Sequence, residues 1–300
     1  MSLNAAPFDW LARHYRKEKM LPQIPIEDET DLVTRARDGD RSAIDALIDP
    51  LRRPLLSYVY RMVTHRDDAE DIVQDVLVRV LEGLPGFRGA SRFKTWLFGI
   101  ATHVCLDHLR SKKRWRVEAQ LEGEREADRD PPQIERLRRV MSQPDFIFDI
   151  RQHIAFCFSC VSRTLDPREQ AALMLREVFE FTAQEAAAMM QISEPVFRHT
   201  LSSARSRMIQ SYEGLCQLIN KTGVCYQCRG LREFAPESHR DADLVQIEVS
   251  PGLKVTPENL FDARVKIARE PRLGESPMRE MHDWFFAAIS EREERAASDV

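Results

Sequence analysis

Asp67-Asp68-Ala69-Glu70-Asp71-Ile72-Val73-Gln74-Asp75 opens the stretch that decides the fold, which runs on to Arg116. The acid-rich opening predicts a helix from Asp68 to Gly83, with Ala69, Ile72, Val73, Val76 and Val80 recurring at helical spacing as a core stripe. Asp71, Asp75 and Glu82 share the opposite face. Gly83, Pro85 and Gly86 stop that helix and lead into the loop Phe87-Arg88-Gly89-Ala90-Ser91. A second helix follows, with Phe93, Trp96, Leu97, Ile100, Ala101 and Val104 as its buried stripe. Arg110, Lys112, Lys113, Arg114 and Arg116 end it with no acid among them. An acidic face, a glycine loop and a basic aromatic helix in one block predict partners of opposite charge: a basic protein on one side, phosphates on the other.

The whole chain sets bounds on that reading. Three hundred residues, 43% hydrophobic and 31% charged, predict two domains with an extra element. A net charge of −4 excludes a uniformly basic nucleic-acid coat, so any phosphate-binding surface is local. There is no apolar run long enough for a membrane span, and Met1 to Trp10 has no secretory pattern. The expected location is cytoplasmic. Six cysteines in that setting read as free, metal-bound or redox-active rather than as structural disulfides.

Outward from the central block, 1–30 reads either as a mobile tail or as an extra helix packed on the first domain, with a proline-broken joint at Pro22 to Pro25. From Asp31 a helical period begins and breaks at Gly39. Pro50 and Pro54 predict a further interruption, giving a helix, a turn and two more helices before the central block. Residues 117–145 are a flexible acidic linker: Glu118 to Asp130 holds six acids and two arginines, too little apolar surface to fold alone. The helical period returns from Phe146. Asp166-Pro167 starts a helix, Thr182 caps a short one from Gln184 to Met190, and Ser193 caps a longer one after the turn Gln191-Ile192. Two helices joined by a short turn, the second polar and Arg-rich, predict a helix-turn-helix. Phe197, Leu201 and Ala204 face inward by spacing, leaving Arg198, His199, Ser202, Ser203 and Arg205 for DNA. No alternating strand pattern occurs in 31–212, so the fold class is all-α. Beyond 212 lies a C-terminal extension with two helical patterns, Pro257 to Arg269 and Pro277 to about Arg295. It reads either as an appendage packed on the preceding domain or as a regulatory or partner-docking element.

Asp68-Ala-Glu-Asp-Ile-Val-Gln-Asp75, Phe87-Arg-Gly89, Phe93-Lys-Thr-Trp-Leu-Phe-Gly-Ile-Ala101 and Asp107-His-Leu-Arg110 closely resemble region 2 of bacterial sigma-70-type factors. The nearest branch is the extracytoplasmic-function type. The resemblance covers 31–116, and a second block, 146–212, resembles region 4. It implies that Asp71, Asp75 and Glu82 dock on clamp helices of core RNA polymerase; the residues alone favour an ordinary solvated face. The loop would capture a flipped-out base of the promoter −10 element, with Arg88, Ser91, Lys94, Trp96, Arg110, Lys112, Lys113 and Arg114 as contacts. Trp96 reads as well as a core residue. Helix 194–210 would read the −35 element, and the linker would thread through the polymerase cleft. The pattern departs in two places: His103 stands where many relatives have Asn, and Glu180-Phe181 stands where a Gly usually precedes the helix-turn-helix. The resemblance implies no catalytic residues and no cofactor needed for activity, with promoter DNA and an anti-sigma factor as further candidate partners. Readings from other classes are a stand-alone helix-turn-helix regulator and a thiol-redox protein.

The cysteines fall in two Cys-x-x-Cys pairs, Cys157/Cys160 and Cys225/Cys228. Two-residue gaps let paired thiolates reach one tetrahedral ion, so the four are a candidate structural zinc site. A dithiol switch and plain burial of Cys157 remain open beside it. Cys216 is a substitute ligand, and Cys105 belongs to the first domain.

Overall fold

The computed structural model describes residues 21–22, 24–112, 150–215 and 256–269, with the single positions 132, 135, 282, 283 and 287. Among them there is no strand. The first block is α1 (Ile26–Arg37), α2 (Arg41–Val63), α3 (Arg66–Gly83), a 3-10 turn (Leu84–Gly86) and α4 (Phe93–Ser111). The second is α5 (Ile150–Ser162), α6 (Pro167–Leu173) running on into a π turn (Met174–Val178), α7 (Ala183–Met189) and α8 (Glu194–Leu215). One further helix, α9 (Pro257–Ala268), belongs to the extension. The linker 117–145 lies outside the described residues, apart from the single positions above.

Local chemistry sets most boundaries. Gly39 turns the chain at φ +88°, and Asp40 then caps α2 by accepting from the Ser42 and Ala43 amides at 2.9 and 3.3 Å. Asp166 and Thr182 each close a capping box, with Glu169 and Glu185 reaching back. The expected break at Pro50 and Pro54 does not occur: both lie inside α2. The two prolines are spaced one helical turn apart, and the carbonyls they leave without a donor, those of Ala46 and Pro50, belong to exposed residues that water can satisfy. The opposite face buries Leu47, Ile48, Leu51, Leu55, Tyr58 and Val59, which holds the helix through the lost bonds.

Part of the expected tail is also fixed structure. α1 begins at Ile26, and buried Glu29 on it accepts from the Phe93 amide at 2.9 Å and from Arg92 at 2.9 and 2.8 Å. Arg92 offers no side-chain cap of its own, so a carboxylate from α1 caps α4 from outside.

The two blocks share one core. Phe98 of α4 sits in a ring cluster with Tyr58 of α2 and with Phe179 and Phe181 of the second block, at centroid distances of 5.4, 5.6 and 5.2 Å. α7 lies on α4 so closely that a Cβ added at Gly99 would stand 3.7 Å from the Met189 Cα. Gln170 donates its amide to the Arg61 and Met62 carbonyls at 3.2 and 3.1 Å, satisfying acceptors that the end of α2 leaves open. α9 packs on α5, with Phe261 beside Phe158 at 5.9 Å, as the appendage reading expects. Of the second expected C-terminal helix, only 282, 283 and 287 are described; there the His282 ring stacks on Phe156 at 3.7 Å and Asp283 accepts from the Tyr60 hydroxyl at 2.7 Å.

Candidate nucleic-acid interface

On α3 the core stripe is buried at Ala69, Ile72, Val76 and Val80, with Val73 half-buried. Asp71, Asp75 and Glu82 are exposed together on the other side. Asp75 is bridged to Arg79 at 3.0 Å on the surface. Sequence reasoning missed what lies among these acids: Val78 is 52% and Leu81 47% exposed. Their signal was present, since both fall outside the stripe that feeds the core.

The loop is built around aromatic packing. Gly89 takes φ +69°, a left-handed conformation that glycine adopts without penalty. Phe87 is buried beneath the loop and stacks on Trp96 at 4.7 Å. The indole fits against Gly83, where a Cβ would come within 3.0 Å of it. Trp96 is therefore a packing residue that holds the loop while remaining half-exposed. Arg88 and Ser91 are exposed at the loop tip. Lys94 is turned toward the second block, its ammonium 5.7 Å from the Phe181 ring centre. Arg110 is exposed and paired with Asp107, and Lys112 is exposed. Lys113 and Arg114 lie outside the described residues. His103 is half-buried on α4, one turn before Asp107.

On α8, Phe197 and Ala204 are buried and Leu201 is half-buried, as spacing predicts. Arg198, His199 and Ser202 are exposed together, with Arg198 bridged to Glu194 one turn earlier. Val196, which sequence reasoning did not assign, is exposed on the same helix. Ser203 and Arg205 turn elsewhere. Ser203 donates to Glu169 at 2.6 Å. Arg205 donates to Glu177 at 2.6 Å and to Asp262 of α9 at 2.8 Å, with its guanidinium 4.8 Å from the centre of the Phe261 ring. Their pull outweighs burial and raises the Arg205 pKa further.

Glu180, where a glycine is expected, does take the left-handed conformation, at φ +58°. That backbone costs a side-chain-bearing residue roughly 1–2 kcal/mol. Its carboxylate bridges to Arg269, just past α9, at 3.0 Å.

Cys157 and Cys160 lie one turn apart on α5, half-buried and buried respectively. Cys225 and Cys228 lie outside the described residues, and among the described residues no group of three or more His, Cys, Asp or Glu could hold a metal. Nor is any described helix long and apolar enough to cross a membrane.

Residues 47–115 match the family model described as Sigma-70 region 2, and 156–208 match Sigma-70, region 4. The chain is 33% identical over 181 residues to the ECF RNA polymerase sigma factor SigG of Mycobacterium tuberculosis, covering 57% of this chain and 49% of that protein. It thus spans about half the length of that relative. Against the RNA polymerase sigma-H factor of Pseudomonas aeruginosa it is 26% identical over 193 residues, covering 63% of this chain and 96% of the relative. A solved structure of CnrH in complex with the cytosolic domain of CnrY aligns at 19% identity and a TM-score of 0.43, covering 60% of this chain and 94% of that one. Segments that match region 2 and region 4 of the sigma-70 family thus lie on α2–α4 and on α5–α8, in that order along one chain, and the relatives it matches are RNA polymerase sigma factors.

Proposed function

We propose that this chain is a promoter-specificity subunit of bacterial RNA polymerase, acting in the cytoplasm. The observation that carries the reading is the order of two family segments, 47–115 then 156–208, each presenting an exposed charged face where the role needs one. Asp71, Asp75 and Glu82, with Val78 and Leu81, dock on the core enzyme. Arg88 and Ser91 at the loop tip, with half-exposed Trp96 and the basic end of α4, hold the opened −10 strand. Arg198, His199 and Ser202 read the −35 duplex. The polymerase performs the chemistry, so the chain supplies binding energy and no catalytic residue. An anti-sigma factor is a candidate partner on family grounds alone. The test is run-off transcription with core polymerase: a promoter-specific transcript appears only when the protein is added. Sequence-specific duplex binding by the protein alone, with no transcript, would replace this reading with a stand-alone regulator.

Arg198→Ala is the first expected result. A bidentate arginine–guanine contact is worth roughly 1–3 kcal/mol of base discrimination. The bridge to Glu194 lies on the surface and one turn away, so it orients the guanidinium at little cost to its release. Transcription from promoters mutated through the −35 element should lose preference at one base. Full wild-type preference in Arg198→Ala would mean that another face of α8 meets DNA.

The cysteines enter as a structural zinc site, with Cys157 and Cys160 giving half of a tetrahedral set and Cys225 and Cys228 the rest. Thiolate ligation couples metal to folding, so protein purified under reducing conditions should carry about one equivalent of zinc, and a chelator should destabilise region 4. Far less than one equivalent, with all six thiols titrating freely in the native state, would turn the assignment to a dithiol switch.

A further inference from the structure

α9 touches both regions. Arg61 of region 2 is wholly buried, and its guanidinium donates at 2.7 Å to the carbonyl of Ala268, the last residue of α9. That carbonyl sits at the negative end of the helix and accepts no bond from within it. Burial pulls the Arg61 pKa down to about 9. Ser159 of α5 stands 3.5 Å from the same guanidinium, so one buried cation joins region 2, region 4 and the extension.

On the other side of α9, Asp262 and Phe261 occupy Arg205, the one basic residue in the −35 set that is not exposed. Arg264 lies 4.0 Å from the centre of the Tyr212 ring, near the end of α8. Arg269 donates to the Glu177 carbonyl at 2.6 Å and bridges to Glu180. The unusual residue in the region 4 turn is thus accounted for by its partner: a glycine at 180 would relax the backbone and lose the bridge to Arg269. Meanwhile α7 lies on α4, so the same closed arrangement sets Lys94 against Phe181 instead of against DNA.

We propose that α9 is an internal latch, which holds region 4 closed on region 2 and withholds Arg205 and Lys94 from promoter DNA. The proposal rests on the promoter reading above for the site that is withheld. A phosphate approaching Arg205 meets Asp262 first, so DNA and α9 compete for one guanidinium. Release is cooperative for a physical reason. Removing α9 alone would leave the Arg61 cation buried without its carbonyl, whereas opening region 4 at the same time lets water reach it. The chain therefore has two favoured arrangements, closed with α9 seated and open with α9 off, and anything that binds the open one shifts the population.

The test uses the full chain, an Asp262→Arg variant that sets a cation against Arg205, and a chain ending at Val255. Circular dichroism and a cooperative melt establish that each is folded. X-ray scattering should give a larger radius for both altered chains, and their affinity for duplex carrying a −35 element, together with transcription by added core polymerase, should rise about tenfold at moderate salt. Wild-type transcription equal to that of both folded variants overturns the latch and leaves the promoter function standing. Transcription from none of the three overturns the promoter function and with it what the latch withholds; scattering still decides the closure itself, which an unchanged radius refutes and an increased one upholds.

Discussion

Phe98→Ala should cost roughly 3–5 kcal/mol of folding stability, the range for truncating a fully buried aromatic ring. The ring is completely buried, and its neighbours come from both regions: Tyr58 on one side, Phe179 and Phe181 on the other. Its loss therefore does more than hollow out region 2. Phe179 and Phe181 lose their ring contacts with α4, and the Lys94 ammonium over Phe181 and Met189 against Gly99 are left nearby. In urea the wild-type chain should unfold in one transition, because its core is continuous. The variant should separate into two, with region 4 parting from region 2 before region 2 melts. Leu97→Ala, which empties a buried site one residue away on α4, is the comparison: it destabilises, but the transition stays single. A loss below about 1 kcal/mol for Phe98→Ala, with one sharp transition, would mean that the ring does not join the two regions.

Why this shared core escaped the sequence is plain from the same residues. Phe98 falls off the apolar stripe expected on α4, and Phe181 and Met189 belong to no expected stripe; an apolar residue in a helical segment says that a side chain is buried without saying against what. Each reads as its own domain's core. The helices themselves were legible because their periods and caps are local: Asp166 with Glu169, Thr182 with Glu185, and Thr256 before Pro257 all act within one turn. Pro50 and Pro54 misled because a proline's cost depends on whether the carbonyls it strands face water, and that is set by tertiary packing.

The candidate site divides along the same line. Arg198, His199 and Ser202 were placed by helical spacing alone and are exposed. Arg205 followed from the same spacing, yet its partners Glu177 and Asp262 are distant in the chain and nothing local announces them. Glu29 was passed over for the same reason: its role lies across the fold, at the start of α4. Glu180 was visible as a departure from a family pattern, and only the position of Arg269 explains it.

Reversing Asp71 and Asp75 together to Lys should lower affinity for core polymerase about a hundredfold and leave the fold intact. Both carboxylates are exposed, so the stability lost with them is small: the Asp75–Arg79 bridge is a surface pair one turn apart, worth about 0.3–0.5 kcal/mol. Binding is another matter. Each reversal turns an attraction for a basic partner into repulsion, and like charges brought together at an interface cost several kcal/mol. The part of the loss that acts on encounter should shrink as salt rises, because exposed charges are screened beyond about 8 Å at physiological ionic strength. Val78→Ala with Leu81→Ala separates the two components of this face. It removes apolar contact without touching charge, so its loss of affinity should persist at high salt. Melting curves within a few degrees of wild type for both variants establish that the surface, and not the fold, has changed. Wild-type polymerase affinity in the double reversal at moderate salt would remove α3 from the docking surface and return its acids to the role of a solvated face.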